Sequence, residues 1–407
     1  MTKPAGAPHA RALGLRRLVL AVVLAALPVA LPSGQAVSQA WLGAAESIAA
    51  GVELYRSTDS ALVDPSGPVA AYLLRLDPDE VRLDAALSNG AVMHAERVQD
   101  IAARHGAIAA VNAGFFNVRN GEPAGVLKIA GELVSDNPTT RGIVAIRSRP
   151  GRKPELEFDQ ASLRMELRFK TRRTERRVPI DGLDTTRERG KLMAYTPLYH
   201  ADTDTAANGV EWVLSGRPLV VTEIRRDAGR TPIPRDGAVL SFGGLDLPEP
   251  LTALAVGTAV TIAPVWKTVH GLSARRLDEA DHIVNGAGLL RRHGLPISNW
   301  REVETLNVAS FVEARHPRTL IGADRRGFIW LVAVDGRQPT YSVGMTFTEL
   351  VQLCARLGLR DALNLDGGGS TTMVVRGVVV NRPSDAAGPR PVSDAIVVGG
   401  RTSFPQK

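Results

Sequence analysis

One cysteine, Cys354, in a chain of 407 residues excludes any intramolecular disulfide, whatever the compartment. None stands near the N-terminal apolar run either, so a lipid anchor there is excluded. Histidine is scarce and scattered: no two of the eight have the His-x-x-x-His spacing that lines metal ligands on one helix face. No Asp-x-Asp-x-Asp series marks a calcium loop, and only Asp366 with its neighbouring carbonyls keeps that option open. Strong charge is lacking too. The formal +7 includes Lys3, Arg11, Arg16 and Arg17, with no acid in residues 1–40, which leaves +3 on the remainder. That is too little for a polyanion-binding protein, and no aromatics interleave with the basic cluster that runs to Arg177.

Long apolar runs are equally rare. The single one, "LVLAVVLAALPVAL" (18–31), follows three arginines and precedes the small residues "SGQAVSQA". It reads as an export signal cut after Ala36 or Ala40, which implies a periplasmic or extracellular protein with no stable membrane insertion afterwards. The expected organisation is a signal region over 1–40, a lead-in over 41–69 and one domain over 70–402.

Within that domain two stretches share a plan. In "ERVQDIAARHGAIAAVN" (96–112), Val98, Ile101 and Ala102 recur at helical spacing, Gly106 stops the helix, and a buried strand ends at Asn112. In "TFTELVQLCARLGLRDALN" (346–364), Thr346 and Glu349 form a capping box, Cys354 falls on the apolar stripe as a core residue, Gly358 stops the helix, and a strand ends at Asn364. The pair reads as an internal helix–strand–turn duplication. "LRMELRFK" (163–170) alternates as a half-buried strand. The expected class is mixed α/β (α+β), antiparallel hairpins with a few packed helices.

The densest chemistry lies in "DALNLDGGGSTTMVVRG" (361–377). Three consecutive glycines are unfavourable in a strand or helix, so they mark a turn where something needs bare backbone. A phosphate loop would need a Lys before its Ser/Thr, and a nucleophile elbow would need Gly-x-Ser-x-Gly; neither spacing is met. "VNAGFFN", "YTPLYHADTDT" with Glu211 beyond it, "HPRTLIGADRRG" and "VDGRQPTYSVGMT" gather further polar residues at expected strand ends. Asp335 and Asp366 supply carboxylates there, and Arg318 and Arg337 supply planar forks suited to phosphate.

Taken together, Pro317-Arg318-Thr319, Asp335-Gly336-Arg337, Asn364-Leu365-Asp366-Gly367-Gly368-Gly369-Ser370 and Asn112-Ala113-Gly114-Phe115-Phe116 resemble the phosphodiester glycosidase family over roughly residues 70–400. Ala113 and Asn285-Gly-Ala-Gly depart from its usual glycines. The resemblance implies a hydrolase that cleaves the glycosidic bond of a sugar-1-phosphodiester, which with the N-terminal signal points to envelope or extracellular glycans; no cofactor, no metal ligand set and no nucleic-acid partner are expected from the residues. In that reading Asp366 is the catalytic carboxylate, as base or nucleophile, with Asp335 second. Arg318 and Arg337 hold phosphate, and Asn112 and Asn364 bind sugar. Gly367, Gly368, Gly369, Ser370 and Thr371 form an anion nest. Three other readings stay open at this level: a glycosidase on ordinary polysaccharide linkages, a non-catalytic glycan-binding protein, and a structural envelope protein.

Overall fold

Alternation of apolar and charged residues dominates the chain, and in the computed structural model it produces sheet upon sheet. The structure describes residues 40–171 and 174–401; the export signal expected over 1–40 lies outside them except for Ala40. The strand Glu155–Lys170 shows the principle: Leu163, Met165, Leu167 and Phe169 face inward, with Arg164 and Lys170 outward. It pairs antiparallel with Asn137–Arg147 on one side and Ala259–Thr268 on the other. These belong to a twelve-stranded sheet with its own apolar core. The described part of the basic cluster that runs to Arg177 lies on the strand Glu155–Lys170 and on the short strand Glu175–Ile180 paired with it. Its charges pair locally, Arg168 with Glu166 at 2.6 Å and Arg176 with Glu249 at 3.2 Å.

An eight-stranded sheet contains Arg318–Asp324 between Ile329–Val334 and Leu359–Asn364. Glu46–Ala49 and Val52–Ser57, from the expected lead-in, are strands of this same sheet. A five-stranded sheet sets Ala109–Asn112 between Met373–Val375 and Asp394–Gly400. Leu54, Leu74 and Leu331 of the eight-stranded sheet, Leu83, Val111 and Ile396 of the five-stranded sheet, and Val144 and Tyr195 of the twelve-stranded sheet share one core.

The mixed α/β class expected from the sequence is therefore corrected: the protein is mostly β, with 44% strand and 12% helix. The two helices foreseen do form, as Val98–Arg104 and Phe347–Arg356, the latter with its Thr346/Glu349 capping box complete. Each only covers the outer face of one sheet. Phe347, Leu350, Leu353 and Cys354 pack on Leu73, Val332 and Val334, while Val98 and Ile101 pack on Ala110 and Val397. Burial of each such side chain contributes about 1.5–3 kcal/mol, enough to dock a short helix, but the inner core is sheet against sheet. The helical units stand out in sequence because their caps and stop glycines are local, whereas most strand pairs are remote along the chain. The two similar units also enter different sheets, yet both strands end in an asparagine at the same place. Among the described residues no helix is long and apolar enough to cross a membrane.

Candidate active site

Ala113 joins the two ends of the site through its backbone. Its N–H donates to the Asp394 carbonyl at 3.2 Å, and its carbonyl accepts the Asp366 N–H at 2.9 Å. Asn112, fully buried, locks the junction: its Nδ2 donates to the Asp366 carbonyl at 2.7 Å, and its Oδ1 accepts from Thr319 Oγ1 at 2.7 Å and from the Thr372 amide at 3.1 Å. Asn364 is likewise buried and donates to the Ala287 and Leu365 carbonyls. Both asparagines, expected as sugar ligands, instead tie strand ends together. Only the Asn364 Oδ1 is left without a partner.

Each glycine of the triad has a spatial reason. A Cβ on Gly367 would fall 2.5 Å from the Pro317 carbonyl oxygen. Gly368 sits at φ +62°, and a Cβ there would lie 2.9 Å from an Nη of Arg337. On Gly369 it would fall 2.2 Å from an Nη of Arg390 and 2.2 Å from an Asp385 carboxylate oxygen. The turn is bare so that two guanidinium groups can lie on it.

Asp366 is half-buried beside this turn and accepts the Gly367 amide at 2.9 Å. Burial pushes its carboxyl up to about 6; the nearby Ser370 hydroxyl, the Gly367 amide and Arg390 pull it down, and the Asp394 charge adds to the rise. Asp394, fully buried, accepts the Gly114 amide at 3.0 Å and the Ser393 hydroxyl at 2.5 Å, and burial raises its carboxyl as well. A Cβ on Gly114 would meet the Asn285 amide nitrogen at 2.7 Å and both Asp394 oxygens at 3.2 Å. That nitrogen, with the buried hydroxyls of Ser370, Thr371, Thr372 and Ser384, completes no hydrogen bond of regular geometry within the protein. Unpaired buried donors are disfavoured by about 1–3 kcal/mol each, and Ser370, Thr371 and Thr372 set three such hydroxyls in a row directly after the glycine turn.

Arg337 and Arg318 diverge. Arg337 is exposed, holds a left-handed backbone at φ +61°, and has its Nη2 3.3 Å from His316 Nδ1. His316 Nε2 meets the Ser310 carbonyl at 2.8 Å, which assigns the proton to Nε2 and leaves Nδ1 to accept from Arg337. Burial, with Arg318 and Arg337 nearby, lowers the His316 pKa and keeps the ring neutral.

Arg318 is only 1% exposed, and the role expected for it is not supported by its surroundings. Its guanidinium donates to the carbonyls of Met345 at 2.8 Å, Phe311 at 2.6 Å and Ala314 at 3.0 Å, under the rings of Phe311 and Phe347. Burial lowers its pKa to about 9, Arg337 adding to the effect and Glu349 opposing it. Through its Nε and Nη2 it clips the 308–316 segment to the sheet.

Asp335 is similarly closed. Its Oδ1 accepts Asn381 Nδ2 at 2.8 Å, and its Oδ2 accepts the Arg382 amide at 2.8 Å and the Tyr341 hydroxyl at 3.2 Å. Burial raises its pKa against those donors. It anchors the 381–393 loop, which carries Asp385 and Arg390. Sequence reasoning passes over both residues, although "NRPSD" and "RPVSD" flag a Pro-rich loop carrying charge. Among the described residues no group of three or more His, Cys, Asp or Glu side chains is placed to hold a metal ion. A separate cleft of about 900 Å³ opens on the twelve-stranded sheet beside Met165, Ile262 and Trp266, and none of the site residues lines it.

Residues 208–399 match the family model described as phosphodiester glycosidase. That range includes every site residue named above from Asn285 onward; Asn112 and Gly114 precede it. Human N-acetylglucosamine-1-phosphodiester alpha-N-acetylglucosaminidase is 36% identical over 101 residues, which are 23% of this chain and 19% of that protein. The Bos taurus protein of that name is 38% identical over 82 residues, 20% of this chain and 15% of the other. The chain thus spans under a fifth of the length of these relatives. Two solved structures share the fold: a hypothetical protein from Synechocystis (TM-score 0.71, 23% identity, 86% of this chain and 62% of that one) and a putative exported protein from Burkholderia pseudomallei (TM-score 0.69, 24% identity, 82% and 74%).

Proposed function

We propose that this chain, which belongs to the phosphodiester glycosidase family through residues 208–399, hydrolyses the bond between an anomeric carbon and the oxygen of a phosphodiester. The observation that carries the reading is the bare glycine turn with a half-buried carboxylate on one side and an exposed, unsaturated guanidinium on the other. Arg337 faces the diester and neutralises the charge that grows on phosphate as the bond breaks. The leaving group is a phosphate monoester, which departs with the C–O electron pair and needs little help from a general acid.

Asp366 accepts the proton of the attacking water. A carboxyl held near pH 6 is ionised at neutral pH and remains basic enough for that transfer. Water oxygen bonds to C1, its proton moves to Asp366, and the products are free sugar and phosphate monoester. The relatives' names point to an N-acetylglucosamine-1-phosphodiester as the first substrate to try. The apolar run at 18–31 supports export to the periplasm or beyond, where such linkages occur in envelope glycans.

The test is hydrolysis of a GlcNAc-α-1-phosphodiester in ¹⁸O water by the purified protein. Label in the released sugar supports attack at C1. Release of sugar-1-phosphate means cleavage at phosphorus and overturns the mechanism.

A further inference from the structure

Arg390 stands outside everything assigned so far, yet its contacts are unusual. Its side chain is one-third exposed and leans on Gly369 so closely that no Cβ would fit, just as Arg337 leans on Gly368. Two guanidinium groups thereby flank consecutive residues of one turn, and Arg390 acts electrostatically on the Asp366 carboxyl. Arg337 has a neutral histidine as its neighbour. Arg390 is held by a carboxylate: Asp385 Oδ2 accepts its Nε at 2.9 Å and lies 2.8 Å from its Nη2, one oxygen gripped by two N–H donors of the guanidinium. The Asp385 side chain is also one-third exposed, so the pair is open to solvent rather than sealed in the core. Asp385 thus sets a carboxylate oxygen against Gly369, the residue next to the one that Arg337 covers.

We propose that Arg390 and Arg337 together clamp the substrate's phosphate over the glycine turn, and that Asp385 is a resident stand-in anion which the phosphate displaces from Arg390. This rests on the phosphodiester reading for the identity of the anion. The clamp explains Gly368 and Gly369 as the seat of two arginine forks, while Gly367 makes room for the Pro317 carbonyl. It also accounts for the 381–393 loop, which Asp335 anchors so that Arg390 reaches the turn. The stand-in keeps Arg390 pre-oriented in the free protein and disfavours weak anions, since any ligand must compete with a tethered carboxylate.

The proposal makes predictions of opposite sign for two neighbouring residues. Inorganic phosphate is titrated calorimetrically into the full-length protein at neutral pH and low salt. Arg390→Gln should weaken binding about tenfold or more, the scale of a charge-assisted hydrogen bond. Asp385→Asn should tighten it about two- to fivefold, the scale of a solvent-exposed ion pair. Unchanged or weaker binding in Asp385→Asn overturns the stand-in, and unchanged binding in Arg390→Gln overturns the clamp. Should Arg390→Gln fail to fold, Arg390→Lys, which keeps the charge and loses the fork, takes its place with the same direction expected. Because the readout is binding, the two readings fail separately. A protein that binds phosphate with these signs but hydrolyses no sugar phosphodiester keeps the clamp and loses the function. One that hydrolyses the diester with both variants binding phosphate like wild type keeps the function and loses the clamp.

Discussion

Glu211 in the twelve-stranded sheet and Asp366 at the glycine turn are both carboxylates inside a β-protein, and their surroundings differ atom by atom. Glu211 is fully buried, and its oxygens accept Thr205 Oγ1 at 2.7 Å, Ser241 Oγ at 2.7 Å, Thr203 Oγ1 at 3.1 Å and, closely, Thr231 Oγ1. Arg187, 4% exposed, completes the cage at 3.5 Å. Asp366 is half-buried and takes one amide, with the Ser370 hydroxyl as its nearby side-chain partner. In sequence neither acid announces its surroundings: Glu211 sits within the strand Gly209–Ser215, while Asp366 follows the strand that ends at Asn364. The difference teaches that a closed polar cluster is architecture, whereas an open one is arranged for a guest.

Removing each acid should separate the two most widely. Asp366→Asn is expected to lower kcat/KM by about 10²–10⁴-fold, the range for losing a positioned base, with the fold intact. Glu211→Gln should leave Arg187 buried without its counter-charge and reduce stability by about 3–5 kcal/mol, read as a lower Tm, with near-normal turnover in whatever remains folded. If Glu211→Gln kept its Tm and lost activity, the contrast would collapse.

The two arginines sharpen the same contrast at about tenfold. Arg337→Gln should raise KM or lower kcat/KM roughly tenfold on a phosphodiester and leave the melting curve in place. Arg318→Met should do the reverse. It withdraws a donor from the Phe311 and Ala314 carbonyls and loosens the 308–316 segment, at a stability cost of about 1–3 kcal/mol. A panel of glycosides without phosphate decides what Arg337 reads: equal loss on both kinds of substrate would remove the phosphate from its role.

Acid–base behaviour gives a smaller and more specific effect. The Asp366 carboxyl titrates at about 6 in the folded protein against 3.8 for an ordinary carboxyl. Activity that needs the ionised form should therefore fall as pH drops through 6. The stability sign is opposite. A carboxyl whose folded pKa is raised favours folding fully below 3.8 and loses that contribution as pH rises to 6. Asp366→Asn should then match or exceed wild-type Tm at pH 7.5 and lose that advantage near pH 4. Asp394→Asn removes the neighbouring charge that helps raise Asp366, and should shift the acid limb of kcat/KM to lower pH.

How much of this is legible in the sequence depends on the range of the interactions. The helix Phe347–Arg356 and its cap are readable because the caps lie within a few residues. The Asp366 turn is readable because a glycine triad has few other uses. Sheet assembly is not, since Ala109–Asn112 pairs with strands beginning at Met373 and Asp394. The motif positions of Asp335 and Arg318 suggest ligands, but say nothing of how Asn381, Phe311 or Met345 will saturate them. Arg390 escapes a sequence reading because its importance comes from contact with Gly369, twenty-one residues away in the chain and adjacent only in the fold.

Ser370 offers the finest test of the contrast, because its expected effects are small. Its hydroxyl is fully buried, and its one favourable neighbour is the Asp366 carboxylate, without a hydrogen bond of regular geometry. So loose a contact contributes little to folding, and Ser370→Ala should change stability by about 1 kcal/mol at most. A ligand oxygen seated on the turn would find a donor in that hydroxyl, and its loss should weaken phosphate or substrate binding a few-fold. A caged hydroxyl such as Ser241 Oγ, which donates to Glu211 at 2.7 Å and accepts from Arg187 at 2.8 Å, should behave in the reverse way on mutation to alanine, losing stability and sparing binding. Melting curves and phosphate titrations of Ser370→Ala and Ser241→Ala, run side by side, decide it. If both variants lose stability and neither loses affinity, the unpaired hydroxyls at the turn are packing alone, and the open cluster is no more a binding site than the closed one.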